Sequence, residues 1–441
     1  MPEADVRERM ERLLPADTVA LLRRIGQAGD ALGSPTYVVG GLPRDVLLGR
    51  RSADIDVMVD GDAEALGRRL ADTLEAELAY DEKFLTCKLL LSSGRHIDVA
   101  TARSEVYEHP GALPKVQPAA ATDELRRRDF SINALAIRLN AAHFGSVLDP
   151  FGGGADIRAG QVRVLHERSF ADDPTRVFRA VRFAGRYCLR LEERTEQQAL
   201  AAMASGGADR ISPERRRDEI VAILAESRPT PCLTLLAQYG GLRFVDPALR
   251  VTPEVERVLE RITELAPAEL ARLRAADPPE QAACWPEMWM LHAAALLQQL
   301  GATRAACTCE RLRLTAAATR HVVAAVEHAE PAATALADPA DVPPSRIHGI
   351  FTGRPPSVPL LALALARSPR AREGIRCYLH TLRHVAADIT GDDLLAEGFS
   401  PGPGLATALR AALSAKLDGR AVSRDGQLRV AMAALRGDVP G

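Results

Sequence analysis

The chain is 441 residues long, which corresponds to about three domains. Hydrophobic residues make up 47% of it and aromatic residues only 4%, with alanine, leucine and arginine abundant, and this mixture favours helices over strands. The formal net charge of -2 excludes a strong overall positive field, so any surface that binds nucleic acid must be a local one.

The cysteines and the apolar segments restrict the cellular compartment. Seven cysteines show no spacing typical of a disulfide framework or a zinc site. The first residues mix acids and bases without an apolar stretch, which is not the pattern of a signal peptide. The longest apolar run, at residues 360–366, is too short to cross a bilayer. We therefore predict a cytoplasmic protein that does not associate with membranes.

The predicted elements begin with helix and then turn to strands. Residues 1–30 carry leucines and an isoleucine at helical spacing. Between residues 36 and 137, short β-rich runs alternate with helices. The strand candidates are residues 36–41, 54–59, 88–93, 96–101 and 132–139. A turn-rich break follows at 149–156, and beyond it helical periodicity dominates, with a strongly amphipathic segment at 174–191.

Two aspartates stand two residues apart in the predicted strand DIDVMV. Residues i and i+2 of a strand point to one face, so Asp54 and Asp56 would project together, about 6.6 Å apart. Neighbouring carboxylates are costly unless a cation neutralises them, and Mg²⁺ usually takes one or two protein carboxylates together with substrate phosphates. Alone, such a triplet is better explained as part of a solvated edge strand, and it is the glycine pair upstream that favours the metal site.

The segment TYVVGGLPRDVLLG predicts a strand, a tight turn and a helix. Gly40 and Gly41 would let an anion approach the bare N–H groups at the start of that helix. Arg44 adds a bidentate donor for phosphate oxygens. Because the chain contains neither a P-loop nor a dinucleotide-binding fingerprint, a nucleoside triphosphate would have to be bound by another kind of loop.

Five segments resemble, in order, the motifs of the class II tRNA nucleotidyltransferases and bacterial poly(A) polymerases, a branch of the polymerase-β-like nucleotidyltransferases. Between residues 37 and 220 these segments are VGGLPRDVLLGRRSADIDVMV, RRRDFSINALA, DPFGGGADI, DDPTRVFRAVRFAGR and RISPERRRDEI. Small departures from the usual pattern occur at Pro43, Ser131 and Asp172. Residues 389–419 are also similar to the C-terminal segment of many CCA-adding enzymes.

The resemblance implies a role for each matched residue. Asp54 and Asp56 would hold Mg²⁺. The implied nucleotide-binding residues of the first two motifs are Gly40, Gly41, Arg44 and Arg128. Asp98, in the predicted strand HIDVAT, is expected to be a third metal ligand or a base near the tRNA 3′-hydroxyl, with an ordinary surface strand residue as the alternative.

The fourth motif carries Asp173, Arg176, Arg179 and Arg182, which are spaced by three and share one face of a helix. Without the other motifs, an exposed stripe of ion pairs would be the better interpretation. With them, Asp173 and Arg176 are expected to read a base edge. A carboxylate accepts from the exocyclic amino group of cytosine or adenine, and a guanidinium donates to the adjacent ring nitrogen, so guanine and uracil are rejected. Arg179 and Arg182 would steady the pocket or the phosphates.

The fold class implied by the resemblance is an elongated molecule in which an α/β head precedes an all-α remainder. The head would have the polymerase-β-like mixed or antiparallel sheet with helices. The predicted domains are a catalytic head at 1–148, a helical neck for base selection at 149–225, a helical body at 226–335 and a tRNA-binding helical tail at 336–441.

The expected activity is template-independent addition of C, C and A from CTP and ATP to the 3′ end of tRNA. In this reaction the tRNA 3′-hydroxyl attacks the nucleotide α-phosphate with the help of Mg²⁺. Residues 105–125 would include a loop that helps to switch base choice. The alternatives are a split enzyme that adds only CC or only A, a poly(A) polymerase, transfer to a small molecule, and an RNA-binding protein without catalysis. The oligomeric state stays open, and no HD-type phosphohydrolase is expected.

Overall fold

The computed structural model describes residues 3–52, 54–106, 115–337 and 342–437. The chain divides into two compact units, residues 1–210 and residues 211–441. All seven cysteines are free thiols, as the sequence predicts. None of the helices in the described ranges combines the length and the apolar character that crossing a membrane requires.

The first unit contains a seven-stranded mixed sheet and two small strand pairs. Its strands are β1 (Thr36–Val39), β2 (Asp56–Val59), β3 (Glu77–Asp81), β4 (Thr86–Leu90), β5 (His96–Thr101), β6 (Arg103–Val106), β7 (Lys115–Pro118), β8 (Ala136–Arg138), β9 (Val147–Leu148), β10 (Gln161–Val162) and β11 (Arg190–Leu191). The large sheet has the order β3-β4-β5-β2-β1-β8-β9. Within it, β2 and β5 run parallel, whereas the other neighbouring strands run antiparallel.

The helices of the first unit precede, connect and follow these strands. They are α1 (Glu3–Leu13), α2 (Ala16–Ala31), α3 (Gly41–Leu47), α4 (Ala63–Leu74), α5 (Ala121–Arg126), α6 (Gly153–Ala159), α7 (Ser169–Asp172), α8 (Thr175–Tyr187) and α9 (Glu193–Ala204). Short 3₁₀ turns lie at Ser131–Asn133, Ala141–His143 and Gly207–Arg210. Asp62 caps α4, because its carboxylate accepts from the backbone N–H groups of Glu64 and Ala65.

The two faces of the sheet have different environments. One face belongs to a large apolar cluster that includes Val57 and Val99 of the strands together with leucines of α2 and α4. The other face belongs to a smaller cluster around Val39 and Met58. Since side chains alternate along a strand, Asp56 and Asp98 lie on the second face, where the apolar packing is less extensive.

The second unit is helical throughout its described residues. Its helices are α10 (Pro213–Leu224), α11 (Pro229–Gln238), α12 (Pro253–Ala276), α13 (Pro279–Ala282), α14 (Met288–Leu297), α15 (Gly301–Arg311), α16 (Ala316–Ala335), α17 (Pro344–Phe351), α18 (Ser357–Leu365), α19 (Pro369–His380), α20 (Gly391–Ala396), α21 (Pro403–Leu417) and α22 (Arg424–Arg436). The apolar helices α14 and α18 are largely buried and both pack on α16. A separate small core forms among α20, α21 and α22 around Leu394, Ala412 and Ala431.

The predicted fold class, a mixed-sheet unit followed by helices, is confirmed, and the strand predicted at 96–101 is β5. Several of the predicted bounds are wrong in detail. The strand predicted at 88–93 is β4, which begins at Thr86 and ends at Leu90. The helix predicted over 1–30 is two helices separated at Pro15, because proline starts helices but interrupts them internally. The strand predicted from residue 54 begins only at Asp56, and the first part of the strand predicted at 132–139 is a 3₁₀ turn. The bounds of the four predicted domains stay predictions.

Candidate functional site

Two carboxylates lie side by side on the parallel strands of the sheet. Asp56 is the first residue of β2, and its register partner on β5 is Asp98. Paired residues on neighbouring strands are about 4.8 Å apart and project to the same face. Asp54 is exposed and lies outside the strand, which corrects the expectation that it shares a strand face with Asp56. The closest strand partner of Asp56 among the predicted acids is therefore Asp98.

The surroundings of Asp56 disfavour its charged form. Burial raises the pKa of the Asp56 carboxyl above its ordinary value, and the negative charge of Asp98 raises the pKa further. The Arg128 guanidinium lowers the pKa in opposition, and Asp54 adds a smaller rise. Three carboxylates and one guanidinium thus act on one another here, with an excess of negative charge that a bound cation would offset.

The donor set fits a magnesium ion. Carboxylate oxygens are the ligands that Mg²⁺ takes, and one or two of them suffice when substrate phosphates complete the coordination. In the part of the chain that the structure describes, no three histidine, cysteine or acidic side chains are arranged to hold a metal ion by themselves. The arrangement of Asp54, Asp56 and Asp98 is therefore compatible with an ion that is shared with a phosphorylated ligand.

Gly40 places the backbone directly against the Asp56 carboxylate. It precedes α3 with φ +74° and ψ -129°, a conformation that side chains with a Cβ rarely adopt. A Cβ added at Gly40 would lie 2.6 Å from Asp56 Oδ2. The turn between β1 and α3 therefore needs glycine both for its backbone angles and for this close approach, which brings the start of α3, with Gly41, next to the carboxylates.

Arg128 is held toward the carboxylates by a buried acid that the sequence analysis did not single out. Glu124 of α5 is almost fully buried and accepts from Arg128 Nη2 at 3.0 Å and from Arg127 Nη2 at 2.5 Å. The Nε of Arg128 is buried and makes no hydrogen bond within the described residues. The spacing of three and four residues between Glu124 and the arginines was the available sequence signal, since such pairs face each other on a helix.

Arg44 belongs to a buried polar network beneath the site. Its Nη1 donates to Asn133 Oδ1 at 2.7 Å, and its Nε donates to Asp45 at 3.1 Å. Asn133 in turn donates to Asp129 Oδ1 at 2.9 Å, and Asp129 accepts from Arg179 Nε at 2.9 Å. Only 6% of Arg44 is exposed. In this conformation the network therefore ties α3 to α8 through Arg44 and Arg179, and contact of Arg44 with a triphosphate stays a prediction.

The ring faces of α8 complete the surroundings of Arg44. Its guanidinium carbon lies 4.6 Å from the ring centre of Tyr187 and 5.3 Å from that of Phe183. Arg182 lies over Phe183 as well, at 5.3 Å. Such stacking of cations on aromatic faces is stabilising where water is largely excluded.

The residues predicted to read the base, Asp173 and Arg176, lie at the start of α8 rather than along one uninterrupted helix face. Asp173 precedes the helix, and its Oδ1 accepts from the backbone N–H of Thr175 at 3.1 Å and from the Thr175 hydroxyl at 2.7 Å. Arg176, in the first turn, donates to Ser169 Oγ of α7 at 2.8 Å. The structure thus ties Asp173 to the first residue of α8, while its role in base reading stays a prediction. Residues 107–114 of the predicted base-switching loop lie outside the described residues.

Two family profiles match the chain. The profile described as the poly A polymerase head domain matches residues 36–163, which include the glycine turn and all three predicted catalytic aspartates. The profile described as a probable RNA- and SrmB-binding site of polymerase A matches residues 188–251.

Individual proteins are similar over most of the chain. An A-adding tRNA nucleotidyltransferase of Geobacter sulfurreducens is 36% identical over 96% of this chain and 48% of its own length. An A-adding enzyme of Halalkalibacterium halodurans is 38% identical over 52% of this chain and 54% of its own length. The chain thus spans about half the length of these two curated relatives.

Solved structures match from end to end. A CCA-adding enzyme in an apo form is 30% identical with a TM-score of 0.78, and the match covers 97% of this chain and 98% of that one. The Thermotoga maritima CCA-adding enzyme complexed with tRNA is 29% identical with a TM-score of 0.72, covering 98% of each chain. With its ordered motifs, paired strand carboxylates and full-length structural match, the chain belongs to the family of tRNA nucleotidyltransferases and poly(A) polymerases.

Proposed function

We propose that the chain is a template-independent nucleotidyltransferase that extends the 3′ end of tRNA, and that AMP from ATP is among the nucleotides it adds. The observation that carries this proposal is the pairing of Asp56 with Asp98 beside Gly40 and Arg128. Relatives and solved structures named for A addition or CCA addition support the choice of tRNA and ATP as substrates.

In the proposed reaction, the tRNA 3′-hydroxyl attacks the α-phosphate of the bound nucleotide and diphosphate leaves. Asp54 and Asp56 would hold Mg²⁺, whose contribution when bound is to neutralise charge on the reacting phosphates. Arg128, aimed at the carboxylates by Glu124, would donate to phosphate oxygens. Asp98 lies on the side of Asp56 away from Gly40, where it would face the attacking hydroxyl as a base or contribute a further metal ligand.

Base choice is assigned to the start of α8. Asp173 and Arg176 would pair with the amino group and the ring nitrogen that adenine and cytosine share, and each mismatch with guanine or uracil would cost about 1–3 kcal/mol. Arg179, fixed by its ion pair with Asp129 at 2.8 Å, would keep this helix in register with the carboxylates. Helices of the second unit would contact the tRNA.

The full sequence of C, C and A from CTP and ATP is the first candidate for the product. Addition of A alone is the second candidate, and the relative that aligns with 96% of this chain under that name favours it. Both candidates use the same site, because one pair of hydrogen-bonding groups accepts either base.

The experiment that tests the proposal supplies the purified chain with tRNA that lacks CCA, tRNA that ends in CC, and complete tRNA, each with CTP or ATP alone. Incorporation of C and A identifies the CCA-adding activity, and incorporation of A only on the tRNA that ends in CC identifies the A-adding one. Long A tails on unrelated RNA would identify a poly(A) polymerase. Lack of incorporation on every RNA would overturn the proposal in favour of RNA binding without catalysis.

A further inference from the structure

A lysine extends the row of charged side chains across the sheet. Lys88 of β4 is the register partner of Asp98 on β5, and Asp98 is the partner of Asp56 on β2. Lys88 is exposed, whereas its neighbours Cys87 and Leu89 are fully buried on the other face. The side chains of Lys88, Asp98 and Asp56 therefore stand in one row on one face of the sheet.

Lys88 does not form an ion pair with the carboxylate of Asp98, which lies opposite it on β5. Within the described residues, Lys88 makes no ion pair or hydrogen bond with another side chain. An exposed cation without a side-chain partner has its charge available for a ligand at this face.

The strand order separates two sides of the carboxylate pair. Gly40 follows β1, which pairs with β2 on the side away from β5. Lys88 lies on β4, on the opposite side of the pair. If the nucleotide phosphates approach Gly40, the attacking RNA would approach from the side of Asp98 and Lys88.

We infer that Lys88 binds the phosphate of the terminal nucleotide of the tRNA and so positions the attacking 3′-hydroxyl. This inference rests on the proposed function. Two strand spacings place the Lys88 backbone about 10 Å from that of Asp56, and a flexible four-carbon stem covers much of this distance with a compact charge suited to phosphate. The nucleotide side of the site does not involve Lys88.

The first test is kinetic and compares Lys88→Gln with Lys83→Gln, which removes another exposed lysine between β3 and β4. We expect Lys88→Gln to raise the KM for tRNA about two- to fivefold, the range of an exposed ion pair, with the KM for ATP unchanged. The dependence of log KM for tRNA on log salt concentration should weaken by about 0.7, the value for one phosphate contact on a single strand. Lys88→Arg should restore both quantities, and Lys83→Gln should alter neither.

The second test is chemical and uses the fact that the chain has only four lysines, Lys83, Lys88, Lys115 and Lys416. A tRNA ending in CC is oxidised with periodate, so that its terminal ribose becomes a dialdehyde. A nearby amine condenses with an aldehyde and releases water, and cyanoborohydride reduces the imine to a stable amine. We expect Mg²⁺-dependent labelling at Lys88, mapped by mass spectrometry.

The two tests distinguish this inference from the proposed function. If wild-type protein adds nucleotides while Lys88→Gln keeps the wild-type KM for tRNA, or while the dialdehyde labels other lysines but not Lys88, the inference is overturned and the proposed function stands. A raised KM for ATP instead of tRNA would place Lys88 on the nucleotide and would also overturn it. If wild-type protein adds nothing to any tRNA, the proposed function itself is overturned.

Discussion

Replacing Gly40 with alanine is expected to displace the Asp56 carboxylate and to slow nucleotide addition while the chain stays folded. The added Cβ would lie 2.6 Å from Asp56 Oδ2, whereas ordinary contacts begin near 3.4 Å, so the carboxylate must retreat by about 0.8 Å. A displacement of this size at reacting groups costs on the order of 10²-fold in rate. The strained backbone angles add about 1–3 kcal/mol of destabilisation, which a typical domain tolerates.

The assay measures kcat for AMP addition to a tRNA ending in CC, together with the denaturant midpoint. Gly49→Ala is the matched control, because Gly49 lies at the other end of α3 with φ +73° and has open space around it. We expect the control to lose stability but to keep its kcat. Wild-type kcat in folded Gly40→Ala would refute the argument that the backbone must approach Asp56 this closely.

Three further substitutions test other parts of the structure. Asn133→Ala removes an acceptor of the buried Arg44 and should lower the free energy of unfolding by about 1–3 kcal/mol; an unchanged urea midpoint would contradict this. Hydrogen bonds from Arg304 hold the pKa of Asp246 well below 3.8, at about 2. The ionised carboxylate therefore stabilises the fold above about pH 4 and loses this effect toward pH 2. Asp246→Asn should lower the urea midpoint at pH 7, and the difference between the midpoints of variant and wild type should shrink as the pH falls below 4. Arg176→Ala should raise GMP incorporation relative to AMP about tenfold, and unaltered selectivity in single-nucleotide assays would exclude Arg176 from base reading.

The sequence predicted much of the first unit because its signals are local. Alternating β-rich residues predicted β5, and the glycine pair predicted the turn before α3. Asp98 was identified from its place in a predicted strand and from the chain's resemblance to a family whose sites often contain a third carboxylate. The pairing of Asp98 with Asp56 depends on β5 lying beside β2 in parallel, and no local sequence pattern encodes that neighbourhood. The position of Lys88 opposite Asp98 was missed for the same reason.

The surroundings of Arg44 show a second limit of sequence reasoning. An arginine in the first turns of a helix after two glycines is typical of a phosphate ligand. In the structure its guanidinium is buried against Asn133, 89 residues away, and against the Tyr187 ring, and its contact with a triphosphate stays a prediction. The packing of α8 places the Tyr187 ring against Arg44. The amphipathic pattern of α8 predicts which of its faces is apolar, but it does not identify the residues against which that face packs.

The most direct test of the account is AMP addition by Asp56→Asn. Burial and the Asp98 charge raise the pKa of the Asp56 carboxyl, so the ionised form of this side chain is costly to the fold. We infer that the carboxylate is present because nucleotide addition requires it. We predict that Asp56→Asn loses AMP addition to a tRNA ending in CC by at least about 10³-fold, as expected when a group that holds charge-stabilising Mg²⁺ is removed. Its thermal midpoint should equal or exceed that of the wild type. Addition within a few-fold of the wild-type rate, at saturating ATP and Mg²⁺, would contradict the account.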